Sequence, residues 1–251
     1  MPQPYSGLAR IYDYLLCGVD YEAWADYLEE IFARFQIEPC QIILDLACGT
    51  GSSTFPWVER GYTVYGADIS PEMLAIAGER AREYIPPVKF YRQDMRSLQL
   101  PFRADVIVLY QDGLNYLLTP GELKKALQSI HDVLRPGGYF IFNLNLVEKL
   151  PAADTPQVAW LEDEEITLIW ESGFDPEEKI WSIKLTAFLR GDGGLYEKIQ
   201  EEHKERSYSR EEMEPLLLKT GWQLKACYKA FTFEKPRPED RNIFYVVQRE
   251  A

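Results

Sequence analysis

The sequence of 251 residues is poor in histidine and cysteine, and it has no long apolar run. His131 and His203 are its two histidines, and its four cysteines are scattered without a C-x-x-C pair. We therefore expect no metal site, and we expect reduced thiols in a cytoplasmic protein. Because no run approaches about 18 apolar residues and the first residues lack a basic start before an apolar segment, we expect neither a membrane span nor a signal peptide.

Basic residues are also few relative to acidic ones. Lys and Arg total 27 against 40 Asp and Glu, which gives a formal net charge of −13. Nucleic-acid interfaces depend on clustered basic side chains, so this composition disfavours a broad nucleic-acid surface. The hydrophobic content of 46% and the aromatic content of 14% predict a packed globular core. The length suits one α/β core with an added lobe.

The most informative segment is an apolar run followed by a turn of small residues. Residues 42–51 read IILDLACGTG, in which the apolar run ends around Asp45 and small residues follow at the spacing A-x-G-x-G. The run is typical of a buried parallel strand, and the small residues allow a tight turn whose backbone approaches a ligand closely. A second strand pattern at 62–68 ends at Asp68, 23 residues after Asp45. This spacing is close to that of doubly wound folds that offer a carboxylate to a ribose, so it predicts a nucleotide-type cofactor site.

We predict two amphipathic helices within residues 5–36, which could act as a lid. After them, strand and helix patterns alternate. The predicted strands lie near 42–46, 63–67, 88–91, 104–110 and 138–144, and the predicted helices near 52–60, 71–82 and 120–134. This alternation indicates a parallel sheet with right-handed crossovers. Antiparallel strand patterns follow near 166–170, 181–188 and 195–208, and then a helix near 209–219 and strands near 222–231 and 242–248. We predict lid helices and cofactor core at 1–150, a small antiparallel β insertion at 151–206, and completion of the core at 207–251.

Over residues 38–150 and again 207–249 the sequence resembles the class I S-adenosylmethionine-dependent methyltransferases, most of all the bacterial small-molecule branch with a β insertion. The resemblance rests on the acid-x-A-x-G-x-G loop, on the acid that ends the second strand, and on Asp94 in RQDM. It implies a Rossmann-like, doubly wound sheet of seven mostly parallel strands, with S-adenosyl-L-methionine as the methyl donor. A dinucleotide enzyme is the main rival, but its G-x-G-x-x-G fingerprint is not met: counted from Gly49 its last position is Thr54, and counted from Ala47 its first glycine is an alanine.

The resemblance also implies roles for individual residues around the cofactor. Asp68 would accept hydrogen bonds from both ribose hydroxyls and Asp94 from the adenine amino group, while Asp45 would hold the loop or the ammonium group. Ile69 and Met95 would pack against the base. The predicted cofactor-binding residues are Asp45, Ala47, Cys48, Gly49, Gly51, Asp68, Ile69, Asp94, Met95, Tyr110 and Tyr12.

Two segments are predicted to border the methyl acceptor. The loop after the fourth strand holds Tyr116, and ligands bind at the carboxyl ends of parallel strands. His203 begins a segment similar to the family's H-x-x-R-x-Y, where it could act as a general base, or else it is a solvent-facing strand residue. We take His203 and Tyr116 as the candidate catalytic residues. The family's D/N-P-P-Y tetrad for base amino groups is absent, and no cysteine lies in this loop for C5-pyrimidine chemistry.

These observations predict a methyltransferase that transfers a methyl group to a small-molecule acceptor by in-line displacement, as a monomer or homodimer without nucleic-acid or membrane partners. Two alternatives stay open. The first is an RNA (tRNA) methyltransferase. It is favoured by a group of basic residues: Lys225, Lys229, Lys235, Arg237 and Arg241. The second is a cofactor-binding regulatory module without transfer activity, because the sequence singles out no essential catalytic residue.

Overall fold

The computed structural model describes Tyr5 and residues 7–38, 40–146 and 157–250. The strands are β1 (Ile42–Leu46), β2 (Thr63–Asp68), β3 (Lys89–Arg92), β4 (Ala104–Leu109), β5 (Leu134–Asn145), β6 (Gln157–Glu162), β7 (Ile166–Asp175), β8 (Ile180–Arg190), β9 (Tyr196–Arg206), β10 (Trp222–Lys229) and β11 (Asn242–Arg249). The α-helices are α1 (Tyr12–Leu15), α2 (Tyr21–Phe35), α3 (Phe55–Glu59), α4 (Pro71–Arg80), α5 (Pro120–Val133) and α6 (Arg210–Lys219). Within these ranges, no helix is both long and apolar enough to cross a membrane.

The larger sheet has seven strands in the order β10-β11-β5-β4-β1-β2-β3. The five strands from β5 to β3 are paired in parallel, and β11 runs antiparallel to both of its neighbours. The chain order reverses between β1 and β4, which is the point where an open α/β sheet forms a crevice at the carboxyl ends of its strands. The predicted Rossmann-like fold class is thereby confirmed.

The apolar runs in the centre of the sheet are buried because helices cover both faces. Every residue of β4 is buried, as expected for a central parallel strand. The helices α2 and α3 pack on one face, where Leu28, Ile31 and Phe32 of α2 lie at helical spacing. The helices α5 and α6 cover the other face. The start of α5 is set by a capping box between Thr119 and Glu122, which satisfies backbone N–H groups that a helix leaves unpaired.

The smaller sheet is antiparallel, with the order β6-β7-β8-β9. The sequence patterns predict three of these strands and miss β6, because most of its residues are exposed and no buried alternation marks it. In the core, β5 begins at Leu134, earlier than predicted, since it follows α5 directly. The predicted border between residues 150 and 151 lies outside the described residues, so the division of the chain into three segments stays a prediction.

Asn115 joins the two sheets at the loop that follows β4. Its side chain is fully buried, and its Nδ2 donates to the backbone oxygens of Asn145 at 2.8 Å and of Arg206 at 2.9 Å. Its Oδ1 accepts from the backbone N–H of Asn145 at 3.2 Å. The Tyr208 hydroxyl also donates to the backbone oxygen of Leu117 in the same loop. These bonds hold the end of β9 against the carboxyl ends of β4 and β5.

We expect Asn115→Ala to lower the free energy of unfolding by about 2–4 kcal/mol, because it leaves two carbonyl oxygens and one N–H buried without partners. Urea denaturation of the variant and of the wild type measures this difference. Gln223→Ala, on an exposed position of β10, serves as the control and should change the free energy by less than about 0.5 kcal/mol. Equal stabilities of Asn115→Ala and the wild type would contradict this account of the junction.

Candidate active site

A cavity of about 270 Å³ opens at the carboxyl ends of the central strands. It lies between the loop after β1, the ends of β2 and β4, and the turn after β3. The predicted cofactor-binding residues that line it are Tyr12, Ala47, Cys48, Gly49, Asp68, Ile69, Asp94, Met95 and Tyr110. Tyr116, a predicted catalytic residue, lines it as well. Asp45 and Gly51 are not among the lining residues.

The loop after β1 uses left-handed backbone at three positions. Ala47, Gly49 and Gly51 have φ values of +60°, +54° and +83°. A Cβ atom at Gly49 would lie 3.6 Å from the Tyr12 ring, in the space between the loop and the N-terminal segment. A Cβ atom at Gly51 would instead lie 3.1 Å from the Phe55 ring, so the lack of a side chain at Gly51 lets this ring pack against the loop. The turn thus presents bare backbone to the cavity at Gly49.

Asp45 fastens this loop to the chain that leads into α3. One of its carboxylate oxygens accepts hydrogen bonds from Ser53 Oγ at 2.7 Å and Thr54 Oγ1 at 2.6 Å. The residue is fully buried, and its other oxygen has no hydrogen-bond partner. Burial raises the pKa of Asp45 to about 7, although the two hydroxyls oppose the rise. Asp45 has two predicted roles. These contacts favour the first, which is to hold the loop, and the second, contact with the ammonium group of a cofactor, stays a prediction.

Asp68 ties the same loop to the end of β2. Its Oδ2 accepts from the backbone N–H of Gly49 at 2.9 Å, and its Oδ1 accepts from the backbone N–H of Ser70 at 2.8 Å. Burial raises the pKa of Asp68, and these N–H groups oppose the rise. A carboxylate oxygen has more than one acceptor site, so each oxygen can take a further donor from the cavity.

Asp94 lies across the cavity from the loop and is paired with an arginine that the sequence analysis missed. Arg96 donates to Asp94 from Nε at 3.0 Å and from its second terminal nitrogen at 2.7 Å, and it also donates to Glu122 at 2.6 Å. The hydrogen bonds from Arg96 lower the pKa of Asp94, so this carboxyl is ionised near neutral pH. Both Asp94 and Arg96 line the cavity.

The N-terminal segment closes the cavity with tyrosines and is fastened by Asp13. The hydroxyls of Tyr12 and Tyr21 donate to Gln111 Oε1 at 3.4 Å and 3.1 Å. The carboxylate of Asp13 accepts from Thr50 Oγ1 at 2.7 Å and from Ser52 Oγ at 2.9 Å within the loop after β1. Arg80 of α4 donates to the other oxygen of Asp13 at 2.6 Å. No local sequence pattern marks Asp13 for this role.

His203 of β9 contacts Tyr116, which lines the cavity. The Tyr116 hydroxyl lies 3.3 Å from His203 Nδ1 and is hydrogen-bonded to the Tyr5 hydroxyl. His203 is only 3% exposed, so the alternative of a solvent-facing residue is wrong. The centroid of its ring lies 4.7 Å from that of Tyr5. The structure therefore brings the two predicted catalytic residues together beside the cavity.

Glu201 connects His203 with the N-terminal segment. Its carboxylate accepts from the backbone N–H groups of Tyr5 at 2.7 Å, Gly7 at 2.5 Å and Leu8 at 2.9 Å. Its Oε2 lies 3.3 Å from His203 Nε2, within ion-pair distance but without the geometry of a hydrogen bond. Burial favours a higher pKa for Glu201, but His203 and the three N–H donors outweigh it, so the pKa lies below its usual value. No local sequence pattern marks Glu201 for this role, apart from its position two residues before His203.

The residues around the cavity fit an adenosyl cofactor. Asp68 has acceptor sites free for hydroxyl donors, and Ile69 and Met95 offer apolar surface beside Asp94. The left-handed turn at Gly49 lets a ligand approach the backbone. The donor and acceptor chemistry of the cavity is therefore consistent with the cofactor that the sequence analysis predicts.

Comparison with known proteins finds similar chains along the whole sequence. A family model described as a methyltransferase domain matches residues 43–138. YqeM of Bacillus subtilis (strain 168), designated a candidate methyltransferase, is 30% identical over 246 residues, which cover 98% of this chain and 97% of YqeM. The crystal structure of an S-adenosylmethionine-dependent methyltransferase from Clostridium acetobutylicum ATCC 824 has a TM-score of 0.86 and 29% identity, and the match covers 98% of this chain and 99% of that one.

A further relative is similar over part of its length. The dTDP-3-amino-3,4,6-trideoxy-alpha-D-glucopyranose N,N-dimethyltransferase of Streptomyces venezuelae is 30% identical over 135 residues, which cover 53% of this chain and 55% of that protein. The first two similarities include both sheets, whereas this one spans about half of each chain.

The raised pKa of Asp45 has a consequence for stability. The folded state keeps the Asp45 proton up to about pH 7, whereas the unfolded chain releases it near the ordinary value of 3.8. The contribution of Asp45 to the free energy of unfolding therefore falls as the pH rises through this window, on the order of 2 kcal/mol between about pH 5 and pH 7. We expect Asp45→Asn to remove this part of the decline in urea denaturation at a series of pH values. Glu239→Gln, an exposed control, should keep the wild-type decline. An unchanged slope in Asp45→Asn would contradict the assignment.

Proposed function

Because the chain belongs to the class I S-adenosylmethionine-dependent methyltransferases, we propose that it transfers a methyl group to a small-molecule acceptor by in-line displacement. The methyl donor of the enzyme is S-adenosyl-L-methionine. One observation carries the proposal: a single cavity is lined by both Asp68 and Tyr116, and the Tyr116 hydroxyl lies 3.3 Å from His203 Nδ1. The donor and the acceptor would therefore lie side by side in this cavity.

We assign the binding of the donor to residues at the carboxyl ends of β1, β2 and β3. Asp68 would accept the ribose hydroxyls through the acceptor sites that Gly49 and Ser70 leave free. Asp94 would accept the adenine amino group, with Ile69 and Met95 against the base. When bound, the cofactor supplies a methyl group that is electrophilic because it is attached to a sulfonium. Since such a donor is already activated, the protein would lower the barrier to methyl transfer mainly by orienting donor and acceptor and by excluding water.

Tyr116 and His203 would take up the proton if the methyl-accepting atom must lose one. Tyr116 lines the cavity, and burial raises the pKa of its phenol, so the hydroxyl stays neutral and can relay a proton. His203 Nδ1 at 3.3 Å from this hydroxyl is placed to receive it. Glu201 beside Nε2 would stabilise the imidazolium that results. The tyrosines of the N-terminal segment would keep water out during this step.

The structure favours a small acceptor over RNA. The cavity lies beneath Tyr5, Tyr12 and Tyr21, which leaves little access for a folded polynucleotide. Two members of the basic group that favoured RNA are paired with acids, Lys229 with Asp240 at 3.5 Å and Arg237 with Glu234 at 3.7 Å. The relative from Streptomyces venezuelae, named as a sugar N,N-dimethyltransferase, further supports a small acceptor. We also place the enzyme in the cytoplasm, because its four cysteines are free thiols.

We expect S-adenosylhomocysteine to bind the wild type and to bind Asp68→Ala about 10-fold to 100-fold more weakly, because two ribose hydroxyls lose their acceptor. Isothermal titration calorimetry measures both affinities. Asp132→Ala, which removes an exposed aspartate far from the cavity, should bind like the wild type. No heat of binding with the wild type would refute the proposed function, and wild-type affinity in Asp68→Ala would refute the assigned ribose contact.

We expect His203→Gln to lower the rate of methyl transfer by about 100-fold or more while the affinity for S-adenosylhomocysteine stays unchanged, because glutamine cannot take up the proton. The assay follows labelled methyl groups from the donor into a pool of bacterial small molecules. His131→Gln is the matched control, because His131 packs edge-on against Trp222 away from the cavity and should keep its rate. A wild-type rate in His203→Gln would exclude the proton-accepting role.

A further inference from the structure

The carboxylate of Glu201 contacts both the N-terminal segment and the imidazole of His203. Its Oε2 accepts a hydrogen bond from the backbone N–H of Tyr5 at 2.7 Å and lies 3.3 Å from His203 Nε2. Its Oε1 accepts from the backbone N–H groups of Gly7 at 2.5 Å and Leu8 at 2.9 Å. Burial acts to raise the pKa of Glu201, but His203 and the three N–H groups outweigh it, so the carboxylate is ionised near neutral pH. The segment therefore holds the anion that faces the histidine.

The tautomer of His203 follows from this contact with Glu201. His203 is 3% exposed, and in its present orientation Nε2 makes no hydrogen bond, which is costly for a buried nitrogen. Glu201 Oε2 faces this nitrogen, and because an ionised carboxylate only accepts, it favours a proton on Nε2. A neutral imidazole carries a single proton, so Nδ1 is left unprotonated at 3.3 Å from the Tyr116 hydroxyl. Glu201 thereby makes Nδ1 the nitrogen that can accept a proton.

The other groups around His203 leave its tautomer open. The hydroxyls of Tyr116 and Tyr5 are hydrogen-bonded to each other on the Nδ1 side, and a phenol can donate or accept. Glu205 lies two residues further along the same face of β9, and it is not the ion-pair partner of His203. On β8 the residue paired with His203 is Ile183, which is apolar. None of these groups fixes the proton on Nε2.

The contact between the N-terminal segment and β9 depends on the missing side chain of Gly7. A Cβ atom at this position would lie 2.6 Å from Ile199 Cγ2 and 3.3 Å from Glu201 Oε1. Ile199 is buried, and 2.6 Å is too short for two carbon atoms, so a side chain at position 7 would move the segment away from β9. The backbone of Gly7, with φ of −91° and ψ of −38°, is open to alanine. Alanine would therefore displace the segment by packing alone.

We propose that Glu201 is a positioning residue that makes the proton-accepting form of His203 depend on closure of the N-terminal segment. The inference rests on the proposed function, in which Nδ1 receives the Tyr116 proton as this hydroxyl takes up the proton of the acceptor. In the closed state the three N–H groups hold Glu201 Oε2 against Nε2, and Nδ1 is free. Displacement of the segment releases the carboxylate, so the tautomer is no longer fixed. Proton transfer is thereby confined to the covered cavity, from which water is excluded.

A matched pair of glycine substitutions tests the coupling. The ¹⁵N chemical shifts of the imidazoles report the tautomer at a pH where both histidines are neutral, and His131→Gln assigns the two sets of signals. We expect the wild type to hold His203 as the Nε2–H tautomer. Gly7→Ala should give a mixture of both tautomers and speed amide hydrogen exchange at Leu8 by about 10-fold or more, because the bond to the carboxylate is lost. Gly18→Ala is the control, because a Cβ atom there meets nothing within 4 Å, and it should match the wild type.

A second variant, Glu201→Gln, changes the carboxylate itself. We expect the glutamine nitrogen to take the place of Oε2, because Oε1 accepts from two N–H groups. This nitrogen donates to His203 Nε2, so the histidine proton moves to Nδ1 and the rate of methyl transfer falls by about 10-fold or more. Glu197→Gln removes an exposed carboxylate of β9 that pairs with Arg10 at 2.7 Å, so it is the matched control. It should keep the Nε2–H tautomer and the wild-type rate.

The signals of His131 at their wild-type positions show that the core of each variant is folded. An Nδ1–H tautomer in the wild type, or the wild-type tautomer in Gly7→Ala or in Glu201→Gln, would overturn the coupling and leave the methyltransferase proposal standing. The spectra require neither an acceptor nor a cofactor. Failure of the wild type to bind S-adenosylhomocysteine would instead remove the proposed function.

Discussion

The hydrogen bond from the Gly49 N–H to the Asp68 carboxylate is the contact on which the site depends. It joins the loop after β1 to the end of β2, and it keeps the left-handed turn of that loop in one position. Asp45 holds the same loop by accepting hydrogen bonds from the hydroxyls of Ser53 and Thr54. The cavity exists because these two carboxylates use backbone and hydroxyl donors to hold a strained turn open at the crevice of the sheet.

The N-terminal segment is fastened at two points, and each point is a carboxylate. Asp13 within the segment binds the hydroxyls of the loop after β1, and Glu201 from β9 binds three N–H groups near Tyr5. The antiparallel sheet therefore has a definite part in the site. It supplies one anchor for the segment that covers the cavity, and it supplies His203 beside that anchor. Closure over the cavity and placement of the imidazole thus depend on the same strand.

Acidic groups with raised pKa values gather around this site at a cost in stability. Asp45, Asp112 and Glu205 are each poorly solvated, and their pKa values are raised to about 7, 6 and 7. Buried carboxylates without cation partners destabilise a folded protein, and such groups cluster where a ligand is bound. The core compensates through a sheet that is covered on both faces, with β4 buried along its whole length. The enzyme thus keeps these destabilising groups near the crevice rather than at the centre of the sheet.

Local sequence patterns were sufficient to predict the order of strands and helices in the core, the loop with Ala47 and Gly49, and the acids at Asp68 and Asp94. These features follow from local periodicity and from short spacings, which a single chain segment expresses. The exposed strand β6 left no such periodicity, and its pairing with β7 depends on the sheet. Other contacts exist only once the chain has folded: Asp13 and Glu201 fasten the N-terminal segment, and Arg96 pairs with Asp94. Glu201 and Leu8 are 193 positions apart, and contacts at such separation arise only when the chain folds, because no local pattern encodes which distant backbone groups will need a partner.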